Sequence, residues 1–253
     1  MARARLLVAY DGSAFHGFAP NEGVETVAGT LVAVIGRVVR RTVELTGAGR
    51  TDAGVHGWGQ VVSLDLPQGT DLDDLARRVN KMAGPRVVIR RAEWTDEEFD
   101  ARFSARWRHY RYHVLLTPQP DPFRAATTWH VGRPLDVSNM QLACDPLIGE
   151  HDFSSFCRRP KPRPGVTPPS MMRRVILARW SEPEPDLLRF EIRANAFCHQ
   201  MVRSIVGLLV DVGLGRRRAG EVNGVLHAHD RQAAGQVAPP HGLVLWEVGY
   251  GDT

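Results

Sequence analysis

The chain has 253 residues, of which 43% are hydrophobic and 24% charged, and these proportions are typical of soluble globular proteins with a complete core. Its apolar runs are shorter than the roughly 20 residues that a membrane-spanning helix needs, and the apolar stretch near Met1 is too short for a secretion signal. We therefore expect a cytoplasmic protein with no membrane partner. The formal net charge is +4, and all but two of the 32 basic residues are arginine. Arginine suits a surface that binds RNA phosphates, although codon bias in a GC-rich genome explains the same ratio.

In the first hundred residues, the apolar pattern predicts alternating strands and helices. A strand over 3–10 ends in a turn at Asp11-Gly12, and apolar residues recur at helical spacing between Thr26 and Val39. The predicted strands are 3–10, 42–45, 60–66 and 87–94, and the predicted helices are 26–39 and 72–82. This β-α-β-β-α-β order is typical of a ferredoxin-like half, which we assign to residues 1–102.

Residues 103–253 are predicted to form a second half with a similar order of elements. The predicted strands are 109–116, 172–180, 187–196 and 243–250, and the helices are 137–148 and 198–212. Closely spaced prolines between Cys157 and Ser170 bar regular structure, so we expect a loop there. Its basic side chains either grip a phosphate backbone or are solvated. The sequence thus predicts an α+β fold built from two related halves.

The three cysteines, Cys144, Cys157 and Cys198, are odd in number and far apart, and no Cys-x-x-Cys pair exists. Such spacing gives little support for a disulfide framework or a structural zinc site. We expect buried or partly buried thiols in a reducing compartment and no metal.

The most informative stretch is Gly47-Ala48-Gly49-Arg50-Thr51-Asp52-Ala53-Gly54-Val55-His56-Gly57. A glycine-dense loop can turn tightly, and it carries Asp52 two residues after Arg50, whose positive charge favours the ionised carboxylate. An accessible carboxylate is a candidate nucleophile. The loop lacks the third glycine of a dinucleotide fingerprint and the lysine of a P-loop. The remaining alternative is an ordinary connection in which Asp52 caps a turn.

The string Gly-Arg-Thr-Asp-Ala-Gly-Val-His resembles the catalytic motif of the tRNA pseudouridine synthase A family. Other stretches resemble blocks of that family in the same order and cover nearly the whole chain. They are Tyr10-Asp11-Gly12-Ser13, Gly59-Gln60-Val61-Val62, Ala101-Arg102-Phe103-Ser104-Ala105, Tyr110-Arg111-Tyr112, Gly149-Glu150-His151-Asp152-Phe153-Ser154-Ser155-Phe156, Ala194-Asn195-Ala196-Phe197 and Met201-Val202-Arg203-Ser204-Ile205-Val206-Gly207. The resemblance implies two ferredoxin-like halves in one continuous mixed, mostly antiparallel sheet with flanking helices and an active-site cleft between the halves.

The resemblance also implies a function and a role for each site residue. The family converts uridine to pseudouridine at positions 38, 39 and 40 in the anticodon stem-loop of tRNA, without a cofactor and as homodimers. Asp52 is the expected nucleophile, and Arg203 is its expected ionic partner. Arg50 is expected to displace the target base. Tyr110 is expected to stack on that base, and its phenol is a candidate relay for the C5 proton. Without the resemblance, Tyr110 and Tyr112 are ordinary strand residues, one inside and one out, and Arg203 lies on an exposed helix stripe.

Two segments depart from the family pattern. Phe18-Ala19-Pro20-Asn21 replaces a usual Trp-Gln pair after Gly17, and Asn80-Lys81-Met82-Ala83-Gly84-Pro85 replaces an Asn-Ala-x-Leu-Pro stretch. Both places are expected to touch RNA or shape the cleft, so they bear on substrate preference. Two alternative functions therefore remain open: a non-catalytic RNA-binding protein on the same scaffold, and a pseudouridine synthase with a shifted RNA target.

Overall fold

The computed structural model describes residues 1–159, 165 and 167–251. In this part of the chain, ten strands belong to one mixed sheet, and five α-helices accompany them. The strands are β1 (Ala2–Tyr10), β2 (Leu45–Gly47), β3 (His56–Leu66), β4 (Val87–Trp94), β5 (Trp107–Leu115), β6 (Trp129–His130), β7 (Gly149–Asp152), β8 (Met172–Glu184), β9 (Leu187–Ala194) and β10 (Leu243–Gly249). The helices are α1 (Val27–Val39), α2 (Leu72–Ala83), α3 (Val137–Leu142), α4 (Met201–Gly213) and α5 (Glu221–Ala228).

The first of two compact units contains Met1–Arg108 and the segment from Val244 onward. Its strands are ordered β4-β1-β3-β10, and β2 also pairs with β3. Strand β1 is antiparallel to both β3 and β4, whereas β10 runs parallel to β3. Helices α1 and α2 contribute their apolar faces to a core that also takes alternate residues of β1 and β3. The side chains of Thr26 and Asp71 cap the two helices by accepting backbone N–H groups, which fixes where each helix begins.

The second unit contains His109–Leu243. Its strands are ordered β5-β9-β8-β7, and β6 pairs with β5 in parallel. Strands β7, β8 and β9 are antiparallel neighbours. Helix α4 is buried on almost all sides, and Arg203 is one of its few partly exposed residues. Such a helix is hydrophobic all round because protein surrounds it.

The predicted α+β class with one mixed, mostly antiparallel sheet is confirmed. The helix predicted over 137–148 is shorter and ends at Leu142, followed by a 3-10 turn at Asp145–Leu147. Pro146 explains this difference because it has no N–H to donate and its ring clashes with the preceding helical turn.

Strands β6 and β7 and helix α5 were not predicted, since each is too short to show a clear period. Much of the predicted proline-rich loop, including residues 160–164, lies outside the described residues.

Two of the cysteines contradict our expectation. Cys157 and Cys198 form a disulfide with a Cα–Cα distance of 5.6 Å, which lies within the usual range for such bonds. The expectation of unpaired thiols was wrong here because the two residues are separated by 41 positions, and only the fold brings them together. Cys144 is a buried free thiol, and burial raises its pKa to about 12.

One face of β5, β8 and β9 carries a cluster of charges around Glu191. This carboxylate is almost fully buried and lies 2.9 Å from Arg111 Nε and 2.8 Å from an Arg179 terminal nitrogen. Burial favours the neutral acid, but the arginines hold the pKa of Glu191 below its usual value. His109 is also buried beside them, and neither of its ring nitrogens has a hydrogen-bond partner within the described chain. Burial, reinforced by the neighbouring arginines, lowers the pKa of His109 to about 4.

The depressed pKa of His109 predicts a loss of stability in mild acid. The unfolded chain binds a proton at this position near pH 6.5, whereas the folded protein resists it until about pH 4, so stability is lost as pH falls through this window. His109 should therefore lower the free energy of unfolding by about 2 kcal/mol between pH 7 and pH 5. Urea unfolding at both pH values should show a smaller drop for His109→Gln. His227→Gln, which removes an exposed histidine, is the control, and an equal drop for both variants would contradict the prediction.

Candidate functional site

Asp52 lies in the loop between β2 and β3, in the first unit, and its side chain is half-buried. The loop closes on itself through a 3.1 Å hydrogen bond from the Val55 N–H to the Asp52 carbonyl. Gly54 has a φ of +78°, a backbone conformation that glycine adopts without strain. Gly54 therefore permits the tight turn that follows Asp52.

The N-terminal segment after β1 braces one side of this loop. The Phe18 N–H donates to the Thr51 carbonyl at 3.1 Å, and the Tyr10 hydroxyl lies 2.9 Å from Thr51 Oγ1. Burial raises the pKa of Tyr10 to about 12, so its phenol stays protonated and can act as a donor. At Gly17, an added Cβ would approach the Thr51 carbonyl oxygen to 2.9 Å. Phe18, which differs from the family pattern, is thus a buried support of the Asp52 loop.

His56 joins the same N-terminal segment to the start of β3. Its Nδ1 lies 3.1 Å from the Gly12 amide nitrogen and 3.1 Å from Asp11 Oδ1. A neutral ring accepts the Gly12 N–H at this nitrogen, whereas a protonated ring donates to Asp11. Partial burial opposes ionisation of Asp11, but hydrogen bonds from Ser13 and the nearby His56 hold the pKa of Asp11 below its usual value.

Two fully or nearly fully buried polar side chains brace the other side of the loop. The Gln60 amide donates to the Gly49 carbonyl at 2.8 Å and accepts the Gly49 N–H at 3.4 Å. The Arg108 guanidinium donates to the Ala48 carbonyl at 2.9 and 3.2 Å. It also donates to the carbonyls of Arg102 and Ala105. These bonds therefore fix the backbone of residues 48 and 49, which lie immediately before Arg50 and Asp52.

Arg50 stands out from this braced loop. Its side chain is exposed. An exposed guanidinium on a rigid loop is available to an external phosphate or base.

In the second unit, Tyr110 lies on β5 with its ring edge-on to Phe197, at a centroid separation of 5.0 Å. Tyr110 and Tyr112 are 7% and 0% exposed. The alternative in which one tyrosine side chain is buried and the other is exposed is wrong, because both are buried and residues two apart on a strand face the same side of the sheet. The Tyr112 hydroxyl donates a hydrogen bond to the Pro239 carbonyl at 2.8 Å, so this hydroxyl is already engaged in a structural contact.

Arg203 projects from the first turn of α4, also in the second unit. Its Nε donates to the Ala238 carbonyl at 2.8 Å, and the Ala238 N–H donates to the Arg203 carbonyl at 3.0 Å. These two hydrogen bonds fix the Arg203 backbone and the Nε edge of its guanidinium group relative to Ala238. The alternative of a fully solvated stripe position is wrong, since Arg203 is partly buried and tied to the segment that precedes β10.

Sequence reasoning missed several residues that hold the site. Thr51, Gln60 and Arg108 received no role, although each is buried and polar. The available signal for Gln60 was a polar residue directly before Val61 and Val62 in a predicted strand. Asn80 also proves structural, because its amide both accepts the Ile89 N–H and donates to the Ile89 carbonyl.

Comparison with known proteins places the chain in a family. A model described as tRNA pseudouridine synthase matches residues 143–251. Proteins named tRNA pseudouridine synthase A from Frankia casuarinae and Brevibacillus brevis are 43% and 40% identical, each over 99% of this chain and over 90% and 100% of their own lengths. The one from Bacillus subtilis is 36% identical over 98% of this chain and 99% of its own. This chain belongs to the tRNA pseudouridine synthase A family.

Membership in the tRNA pseudouridine synthase A family confirms the resemblance drawn from the sequence and makes the chain an enzyme that isomerises uridine in tRNA. The residue roles in this family member remain predictions, although Asp52 is held on a rigid loop and Arg203 on a buried helix. Within the described residues, no helix is long and apolar enough to cross a membrane. No cluster of three or more histidine, cysteine or acidic side chains in the same residues is arranged to hold a metal.

The bracing by Arg108 predicts a measurable stability loss on its removal. Arg108→Met keeps the apolar stem but removes the donor to the buried Ala48 carbonyl and to two partly buried carbonyls, so the free energy of unfolding should fall by about 2 to 3 kcal/mol. Urea denaturation at pH 7.5 measures this change. Arg106→Met removes a nearby exposed arginine and should change the unfolding free energy by less than about 0.5 kcal/mol. Equal losses would show that Arg108 does not support the loop.

Proposed function

We propose that this tRNA pseudouridine synthase A family member converts uridine to pseudouridine at positions 38, 39 and 40 of the tRNA anticodon stem-loop. The observation that carries the proposal is the Asp52 loop. Buried side chains hold it through hydrogen bonds to the Ala48 and Gly49 carbonyls and to the Thr51 hydroxyl, while Asp52 and Arg50 remain partly or fully exposed. Relatives that match over nearly the whole chain bear the name of this activity. Rigid presentation of one carboxylate is what such a reaction needs.

The reaction moves a bond without gaining or losing atoms. The N1–C1′ glycosidic bond breaks, the uracil rotates, and a C5–C1′ bond forms while the proton on C5 is transferred to N1. No electrons leave the substrate, so the reaction needs no redox partner. The protein must supply a carboxylate to the nucleoside, a path for the C5 proton and a pocket for the free base.

Asp52 supplies the carboxylate in this proposal. The bonds to Thr51 and Gly49 hold its backbone, so the carboxylate meets the nucleoside without rearrangement of the loop. Arg50 occupies the place that the everted base leaves in the RNA. Eversion of a paired base costs a few kcal/mol, and an exposed cation beside the loop offsets part of that cost.

Tyr110 and Arg203 complete the proposed site. Tyr110 stacks on the uracil, a contact worth about 1 to 3 kcal/mol, and the edge-on Phe197 ring fixes the orientation of its own ring. Arg203 provides the cation that keeps the nucleophilic carboxylate ionised, a pairing for which the family resemblance is the support. Its bond to Ala238 sets the direction of the side chain.

The proposal includes a homodimer that acts in the cytoplasm. The family resemblance supports both, and a dimer allows one tRNA to contact two subunits. Recognition then rests on the shape and backbone of the tRNA more than on its base sequence.

Substitution of Asp52 tests the chemistry directly. Asp52→Asn keeps the size of the side chain but cannot act as a nucleophilic carboxylate, so pseudouridine formation should fall by at least about a thousandfold. Pseudouridine at positions 38 to 40 is mapped in tRNA from a deletion strain that expresses either the parent or the variant. Tight tRNA binding by both proteins, with no pseudouridine formed by either, would favour the non-catalytic RNA-binding alternative. Pseudouridine only in other RNAs would favour the shifted target.

Tyr110→Phe separates stacking from proton transfer. The phenyl ring keeps the stacking surface, so the KM for tRNA should change by less than about twofold. If the hydroxyl relays the C5 proton, single-turnover rates with 5-³H-uridine tRNA should fall at least about tenfold. Tyr112→Phe, which loses the bond to Pro239, controls for effects on β5. A full rate in Tyr110→Phe would exclude the phenol from the reaction.

A further inference from the structure

A basic pocket in the second unit is not part of the site described above. It has a volume of about 310 Å³ and is lined by Ser154, Cys157, Arg158, Arg159, His229 and Arg231. All six residues belong to the described chain and to the same unit. Three guanidinium groups and an imidazole therefore surround one concave space.

Asp152 lies beside this pocket, and its carboxylate is already engaged in hydrogen bonds and in an ion pair. Asp152 accepts both the N–H and the hydroxyl of Ser154, at 2.8 and 2.5 Å, and its other oxygen lies 3.5 Å from His229 Nδ1. Burial opposes its ionisation, but the Ser154 bonds, His229 and Arg159 hold the pKa of Asp152 below its usual value. The residues that line the pocket include three arginines and no carboxylate, so the lining carries an excess of positive charge.

Arg231 forms the rigid wall of this pocket. Its guanidinium donates to the Phe156 carbonyl, Ser204 Oγ and the Gln200 side-chain oxygen, at 2.9, 2.6 and 2.8 Å. All of these acceptors are neutral, and burial together with the nearby Arg203 and Arg158 lowers the pKa of Arg231. A partly buried cation with only neutral acceptors attracts an anion. The neutral bonds also fix the position of the guanidinium before any anion arrives.

Arg158 and Arg159 form the exposed rim of the pocket. The Arg158 N–H donates to the His199 carbonyl at 2.9 Å, and Cys157 beside it is joined to Cys198. The backbone of the rim is therefore anchored next to the start of α4, while both arginine side chains are exposed. Because the backbone is already fixed, binding of an anion by these exposed side chains costs side-chain entropy but little backbone entropy.

We propose that this pocket binds a phosphate group, with Arg158 and Arg159 at the rim and Arg231 at the wall. Guanidinium forks match the oxygens of a phosphate and bind them through two hydrogen bonds at once. The phosphate comes either from the backbone of the RNA substrate, in which case this inference rests on the proposed function, or from free phosphate in solution.

The test compares two double variants that remove the same charge. Arg158→Gln/Arg159→Gln removes the rim, and Arg37→Gln/Arg133→Gln removes two exposed arginines that lie outside the pocket. The first arm measures the Kd of each full-length protein for an unmodified tRNA transcript between 50 and 300 mM KCl. The second arm measures the Kd for inorganic phosphate by calorimetry. Pseudouridine formation by the parent protein is recorded alongside, so a failure of the proposed function is detected separately from a failure of the pocket.

If the phosphate belongs to RNA, the rim variant should bind tRNA about tenfold more weakly at low salt, and the slope of log K against log salt should decrease by about 1. The control variant should shift both quantities much less. If the phosphate is free, only the affinity for inorganic phosphate should fall in the rim variant. Equal behaviour of the two double variants in both arms would overturn the proposal, whatever the catalytic activity of the parent.

Discussion

The hydrogen bonds that buried side chains make to the Asp52 loop are the interaction on which the rest of the site depends. Arg108 binds the Ala48 carbonyl, Gln60 binds both polar groups of Gly49, and Tyr10 reaches the hydroxyl of Thr51. A glycine-rich loop has more conformational freedom to lose on folding than any other kind of segment. Buried polar groups without partners destabilise a fold, so these contacts hold the loop in one arrangement.

The same principle operates in the second unit, where polar contacts fix the start of α4. Arg203 and Ala238 exchange two hydrogen bonds, and Arg231 reaches across to Ser204 and Gln200. Apolar packing alone would bury α4 but would leave its rotation and its first turn less defined. Directional bonds at its first turn therefore position the residue that the family resemblance assigns to the reaction. In both units, arginine side chains donate structural hydrogen bonds to backbone carbonyls, and one of them, Arg203, is also a candidate for the reaction.

The arginines of this protein occupy two different electrostatic environments, and the net charge does not distinguish them. Around Glu191, several arginines neutralise one buried carboxylate, and His109 stays uncharged beside them. Near Arg231, by contrast, arginines meet mostly neutral acceptors. The first arrangement stabilises a sheet face, whereas the second leaves positive charge directed at a pocket. A formal net charge of +4 is compatible with either, so the contacts and not the composition distinguish a structural arginine from a binding one.

The sequence by itself determined the family, the α+β class, most helices and strands, and the identity of Asp52 as the residue of interest. Local signals suffice for these because helix period, strand alternation and a glycine-rich motif are all written in neighbouring residues. Only the tertiary structure decided that β10 returns to pair with β3, that Cys157 meets Cys198, and that Arg108 lies beneath the Asp52 loop. Each of these joins residues 41 or more positions apart. Such pairings depend on how the whole chain packs, and no local pattern encodes them.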